Sequence, residues 1–212
     1  EMVWNNFYRL ATSPPSQMKP PISQEYKYYV LVECLGSNQQ ADSLKLQTLM
    51  EEAFERDMIL DAVFADTQSD LEWLWKIRED VHAAVSQLPN DQHFDISLPI
   101  PEIGRVVDQI LTELQAIEEV TGVVGFGHVA DGNIHLVVGK SEQNDQLIHR
   151  INQVVYDPLQ DLGGSISAEH GIGRHKKAYL HLCRSDEEIQ LMQLVKKSLD
   201  PNRILNPGKV IN

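Results

Sequence analysis

Two histidines flank an Asp-Gly pair in the stretch Gly127-His128-Val129-Ala130-Asp131-Gly132-Asn133-Ile134-His135-Leu136-Val137. Asp-Gly between short apolar runs is a strong local signal for a type I′ hairpin. With Asp131 and Gly132 as the two loop residues, His128 is expected opposite His135 on one face, Cβ atoms about 5 Å apart. Two imidazoles so held suit one divalent cation, with Zn–N bonds of about 2.0–2.1 Å. The other reading is a surface hairpin carrying two unrelated histidines.

A second cluster, Ser165-Ile166-Ser167-Ala168-Glu169-His170-Gly171-Ile172-Gly173-Arg174-His175-Lys176-Lys177, sets a carboxylate beside an imidazole: one metal ligand and one acid–base group. In a straight strand Glu169 and His170 would face opposite ways. Glycines at 171 and 173 allow a bend that brings both to one site. His128, His135 and Glu169 then make a two-histidine, one-carboxylate set, which leaves coordination positions open as catalytic sites do. Zinc and manganese both tolerate it. The spacing is not H-E-x-x-H, so a helix-borne protease site is excluded.

Three further positions can bind rather than react. Arg78, in Trp73-Leu74-Trp75-Lys76-Ile77-Arg78-Glu79, offers a planar fork for a carboxylate, or is ion-paired to a neighbouring acid. His82 follows one helical turn later on the same face. His93 precedes the short strand at 94–98. Both histidines also read as surface residues. Asn206-Pro207-Gly208-Lys209 sits between the apolar pairs Ile204-Leu205 and Val210-Ile211, which suggests a docked tail.

These residues need a scaffold, and the pattern supplies one. Residues 13–24 hold four prolines and read as a linker. Tyr28–Leu35 and Ile59–Ala65 read as strands. Asp42–Arg56 reads as a helix with Asp42 as its cap, and a helix capped by Ser69 or Asp70 runs through Leu71, Leu74, Ile77, Val81 and Val85. The Phe94–Pro99 strand closes on proline, and Pro101 starts a helix through Ile117. After the hairpin at about 122–139 come a helix over Asn144–Leu162, a strand over Ser165–Ala168, and a last helix from Ser185 with Glu188 completing a capping box. Strands and helices alternate around a central hairpin, so the expected class is α+β with a largely antiparallel sheet covered by helices.

The chain has 212 residues, 42% hydrophobic and 23% charged, with formal net charge −13. That charge argues against a nucleic-acid surface, and any anionic substrate must be met by local cations. Cys34 and Cys183 have no paired spacing, which suggests free thiols in a reducing compartment. No apolar run approaches the roughly 20 residues of a membrane helix. There is no G-x-G-x-x-G after a strand, so a self-contained dinucleotide domain is not expected. The opening Glu-Met-Val-Trp-Asn-Asn-Phe-Tyr-Arg-Leu reads as the middle of a helix, as in a piece of a longer protein.

The blocks GFGHVADGNIHLVV (125–138), ISAEHGIGRHKKAYL (166–180) and DPNRILNPGKVIN (200–212), with FDISLP (94–99) ahead of them, closely resemble the C-terminal part of the FAD-linked 2-hydroxyacid dehydrogenases. That group includes D-2-hydroxyglutarate dehydrogenase, cytochrome-type D-lactate dehydrogenase and the glycolate oxidase flavin subunit. The resemblance implies a ferredoxin-like cap and an FAD domain of the vanillyl-alcohol-oxidase type elsewhere in the protein. On this basis residues 1–24 are a crossover and linker, with VWNNFYRLA at its start, 25–183 a substrate- and metal-binding domain, and 184–212 a helix and tail returning to the flavin. It also implies His128, His135 and Glu169 as metal ligands, His170 as base, Arg78 as the carboxylate clamp and Asn206 as a flavin-side contact. His93 and His82 stand where hydroxyglutarate enzymes carry lysine and threonine for the distal carboxylate, so lactate, glycolate and other 2-hydroxyacids remain open. An electron acceptor, a homodimer, and a bacterial cytoplasmic or mitochondrial matrix location follow as expectations, with the isolated piece inactive. A freestanding metal-binding or regulatory domain, or a metal-dependent hydrolase, are the competing readings.

Overall fold

In the computed structural model, which describes residues 1–211, the chain divides into two compact units, Glu1–Ala84 and the part from Val85 onward. In the first, β1 (Met2–Trp4) pairs antiparallel with β2 (Tyr28–Val30), Val3 opposite Tyr29. Between them α1 (Asn5–Thr12) buries Phe7, Tyr8 and Ala11, and Tyr8 stacks on Tyr29 with ring centroids 3.7 Å apart. The proline-rich arm follows irregularly, tied down by Asn5 Nδ2 donating to the carbonyls of Gln24 and Tyr26. Thus the opening residues enter as a strand, and the helix begins at Asn5.

Strand β2 is shorter than the apolar run 28–35. Leu31 exchanges bonds with Glu1, at 2.9 Å each way, and residues 32–35 lie outside the ladder. Residues 59–65 form no strand either: Leu60, Val63 and Phe64 are exposed, with no pleated neighbour to pack against. Helix α2 (Gln39–Glu55) is capped by Asn38, whose Oδ1 accepts from the Ala41 amide, rather than by Asp42. Helix α3 (Gln68–Glu79) packs on α1 and starts from a capping box between Thr67 and Asp70. It stops at Asp80, whose Oδ1 accepts from the Ala83 amide and opens the separate α4 (Val81–Val85). A short side chain favoured at helix starts divides the expected single helix, so Arg78 and His82 do not share one helical face.

The second unit is built on three strands in the order β4 (Val120–His128), β5 (Asn133–Lys140), β3 (Gln92–Ser97), all antiparallel. Every residue of β5 is buried, as a central strand requires. The register places Ile96, Phe94, Ile134, Leu136, Val138 and Val123 on one face. There the Phe94 ring meets Tyr156 of α6 (Asp145–Leu162) edge-on at 5.3 Å. Helix α6 buries Leu147, Ile151, Val155 and Leu159, and α5 (Ile103–Gln115) adds a stripe of Ile103, Val106, Val107, Ile110 and Leu114. Asn144 caps α6, and the Ser185–Glu188 box caps α7 (Asp186–Leu199). The α+β, antiparallel expectation holds in both units.

The hairpin differs from expectation by a defined amount. Val129–Asp131 form a 3₁₀ turn, and only Gly132 is left-handed (φ 75°), so the loop has four residues and His128 faces Asn133. A type I′ turn would need Asp131 left-handed as well; here Asp131 stays in the 3₁₀ turn and Gly132 alone takes that region. Gly132 is also pressed against the Leu98 carbonyl, which a Cβ would meet at 2.5 Å. We expect Gly132→Ala to cost well over 1 kcal/mol, whereas Gly104→Ala, in α5 with open space around it, should gain a few tenths to ~1 kcal/mol. Urea midpoints of the two variants check both signs.

Candidate active site

The face of the second unit's sheet opposite Phe94 and Ile134 carries three cross-strand rows. Register gives His128–Asn133–Ser97, then Phe126–His135–Asp95, then Val124–Val137–His93. His128 and His135 are therefore diagonal neighbours on the same face, ring centroids 5.8 Å apart and nearly perpendicular. The shift from the expected register is two residues, and an even shift preserves the face.

Above the middle row lies the segment after α6. Ser165 forms a lone antiparallel bridge to Ser97, and no strand follows. The expected Ser165–Ala168 strand is absent because side chains take its hydrogen bonds: the Ser165 hydroxyl donates to the Ser167 carbonyl and accepts from the Ser167 amide. From there the segment is organised by Asp95. Its carboxylate, with no exposed surface, accepts from the His170 amide (2.9 Å), the Glu169 amide (3.2 Å), the Ser167 hydroxyl (2.9 Å) and the Lys176 ammonium (3.3 Å). Gly171, at φ 83°, then turns the chain away. Lys176 is itself steadied: the Tyr179 amide donates to the Lys176 carbonyl, and the Tyr179 hydroxyl accepts from Asn152 on α6 at 3.1 Å.

The outcome is a convergence of donors. Asp95, His135, Glu169 and His170 each present a ligand atom within 4.8 Å of the others. His135 Nε2 lies 3.2 Å from Glu169 Oε1, and the His135 and His170 rings stack at 5.3 Å. His135 is buried, while Glu169 and His170 are each about half exposed. Beside them Asn133 Oδ1 is buried without a hydrogen-bond partner among the described residues. Two imidazoles, a carboxylate with open faces and an unused amide oxygen suit a divalent cation and its remaining ligands.

Of the expected site residues, His135, Glu169 and His170 come together, His128 stands beside them, and His93 lies one row along the same face, half exposed and paired with Asp91. Arg78 belongs to the first unit, where its Nε donates to Glu1 Oε2 at 2.8 Å, both side chains largely buried. His82 is exposed on α4. Asn206 is exposed with φ 46°, and the tail around it is strapped to the site segment by the Val210 amide donating to the Gly173 carbonyl and by Arg174 donating to the Pro207 carbonyl. Asp95 and Lys176 escaped sequence reasoning. The available signal was a lone aspartate inside the apolar run Phe94–Leu98, two residues before Ser97.

The matching family model is that of the C-terminal domain of FAD linked oxidases, over residues 1–210, and the chain belongs to that family. It is 34% identical over 211 residues to the mitochondrial D-2-hydroxyglutarate dehydrogenase of Arabidopsis thaliana, covering all of this chain and 37% of the relative. It is 36% identical over 198 residues to a D-2-hydroxyglutarate–pyruvate transhydrogenase of Saccharomyces cerevisiae, 90% of this chain and 40% of that one. A putative mitochondrial D-lactate dehydrogenase of Schizosaccharomyces pombe is 35% identical over 200 residues, 90% of this chain and 38% of the relative. The chain thus spans under half the length of these curated relatives. No helix among the described residues is long and apolar enough to cross a membrane.

Burial alone pushes the Asp95 carboxyl up, but the His170 amide, Ser167 hydroxyl, Lys176 ammonium and Glu169 amide together hold it below the ordinary aspartate value. Since the folded value is the lower one, the stability it contributes is complete above the unfolded value of about 3.9 and disappears as pH falls through the folded value. A carbonyl-carbon NMR titration of Asp95 should give a midpoint below that of a free aspartate; one above it would mean that burial outweighs the four donors. Lys176→Met should cost about 3 kcal/mol in urea unfolding, because it strands a buried carboxylate.

Proposed function

We propose that this chain is the substrate- and metal-binding C-terminal part of an FAD-dependent dehydrogenase that oxidises a D-2-hydroxyacid to the 2-oxoacid. The observation that carries the reading is the convergence of His135, Glu169 and His170 over one sheet face, in a chain of this family. Relatives named for D-2-hydroxyglutarate and D-lactate support the substrate class, and those named mitochondrial fit the mitochondrial option for its location. The domain division at residues 24 and 183 belongs to this reading, as does pairing with an electron acceptor.

In this reading His135 and Glu169, with His128 at their side, hold a zinc or manganese ion. When bound, that ion supplies the positive charge that lowers the pKa of the substrate hydroxyl. FAD, held by a part of the protein that this chain does not span, supplies the acceptor for the hydride leaving Cα. The chain's own residues do the rest. His170 Nε2, the ring nitrogen facing Glu169, takes the hydroxyl proton as the C–O bond becomes a carbonyl. Stacking on His135 fixes the plane of that imidazole. Arg78, paired with Glu1 within the first unit, is the residue this reading assigns to the substrate carboxylate. The same reading assigns His93 and His82 to the far end of the acid and Asn206, on its strapped tail, to the flavin side.

Metal content is the direct test. After incubation with zinc and desalting, the chain should retain about one ion per molecule, and His135→Ala should retain none; an empty wild-type chain removes the metal from the reading. In the flavin-containing protein, His170→Ala should keep its yellow chromophore yet slow substrate-driven bleaching by about 10²–10⁴-fold. The isolated chain, offered D-lactate or D-2-hydroxyglutarate and a redox dye, should produce no turnover.

A further inference from the structure

The Asp95–Lys176 ion pair joins β3 to the segment that carries Glu169 and His170, and a second set of polar side chains stands behind it. Along β3, Asp95 faces the site, whereas Gln92 lies on the Phe94 face. On that face Lys140, buried at the end of β5, donates from Nζ to Gln92 Oε1 at 3.2 Å. An ammonium offers donors only, so Gln92 presents its oxygen there and its amide nitrogen elsewhere. Gln92 Nε2 donates to Asn152 Oδ1 of α6 at 2.8 Å, and Asn152 Nδ2 donates to the Tyr179 hydroxyl at 3.1 Å. Tyr179 belongs to the 3₁₀ turn Lys177–Leu182, and its amide donates to the Lys176 carbonyl at 3.0 Å. His149, one turn earlier on α6, has Nδ1 2.9 Å from the same hydroxyl.

We infer that Asn152 is a positioning residue: it clamps the strand of Asp95, through Gln92, to the turn that follows Lys176, through Tyr179, and so holds the two members of the ion pair at their spacing. The chain of bonds has a fixed sense. Turning either amide end for end would set donor against donor, at Lys140 for Gln92 and at Gln92 for Asn152. Each amide therefore has one usable orientation, and a buried ammonium decides it. Linked polar groups of this kind act as a unit, because each bond fixes the geometry of the next. Asn152 acts on the site through Tyr179, Lys176 and Asp95, whose carboxylate accepts from the Glu169 and His170 amides. Asn152 is itself partly exposed, so replacing it leaves the apolar core closed. Its bearing on catalysis rests on the proposed function, but the clamp does not.

The test is amide hydrogen exchange, read residue by residue by NMR on this chain. Asn152→Ala should speed exchange at Glu169 and His170 by about 3–10-fold, the weight of one hydrogen bond, and leave the amides of Leu136 and Val138 in the central strand unchanged. Tyr179→Phe should do the same, and adding Asn152→Ala to it should bring no further increase, since both cut one chain of bonds. Gln153→Ala, the exposed neighbour on α6, should change nothing. Wild-type rates at 169 and 170 in Asn152→Ala overturn the inference. Equal acceleration in the central strand overturns it too, as a plain loss of stability, and so does a further increase in the double variant. If Asn152→Ala does not fold, Tyr179→Phe decides alone by the same selective comparison. In the flavin-containing protein Asn152→Ala should lower kcat with KM little moved, because the slackened segment carries His170. Selective exchange with an unchanged kcat overturns that bearing on the reaction while the clamp stands.

Discussion

A carboxylate cut off from water must find its donors inside the protein, and Asp95 finds nearly all of its own in one short stretch. Three of them, from Ser167, Glu169 and His170, lie within four residues of chain, and Lys176 closes the set six residues on. Leaving any one unmade would strand a buried polar group at a cost of about 1–3 kcal/mol. The segment 165–176 therefore has little freedom to wander, although it has no regular secondary structure. Irregular backbone is tolerated here because a single strand residue satisfies its amides. That is also why the site's two half-exposed members, Glu169 and His170, are placed reproducibly over a buried one, His135.

How much of this was legible follows from where each constraint resides. Helix starts were readable where a local capping box is written in consecutive residues, as in Ser185–Glu188. Face assignment in the hairpin was readable because alternation has period two, so His128 and His135 share a face in either register. The loop length was not, since it depends on Leu98 crowding Gly132, a contact between residues more than thirty positions apart. Asp95 was hidden for a similar reason. Inside Phe94–Leu98 it looks like an interruption of an apolar run, and its meaning lies in amides some seventy positions later.

The first unit gives the converse lesson. Tyr28–Leu35 and Ile59–Ala65 have β-branched and aromatic composition, yet only three of those residues are in a strand. Strand propensity reports how side chains fit a pleated neighbour, and without a neighbour it has nothing to act on. Helix α3 shows the same dependence on context at smaller scale. Its apolar spacing continues past Glu79, but Asp80 turns its side chain to the next amide run and splits the helix. Periodicity marks which residues face inward; caps decide where an element ends.

Charge balance connects the anchor to the chemistry. The chain as a whole is strongly negative, at −13, so it repels the anionic acid it is proposed to oxidise. Locally the signs differ. Lys176 neutralises Asp95, the two imidazoles of His135 and His170 are uncharged in their ligand and base forms, and Glu169 contributes a single negative charge. On the proposed reading a divalent cation leaves this cluster with a net positive charge of one, enough to match one substrate carboxylate. Had Asp95 lacked Lys176, the same cation would be fully neutralised by two carboxylates and would offer the acid no attraction. On that reading the buried ion pair does more than hold a loop: it would keep the positive charge of the site available to the substrate.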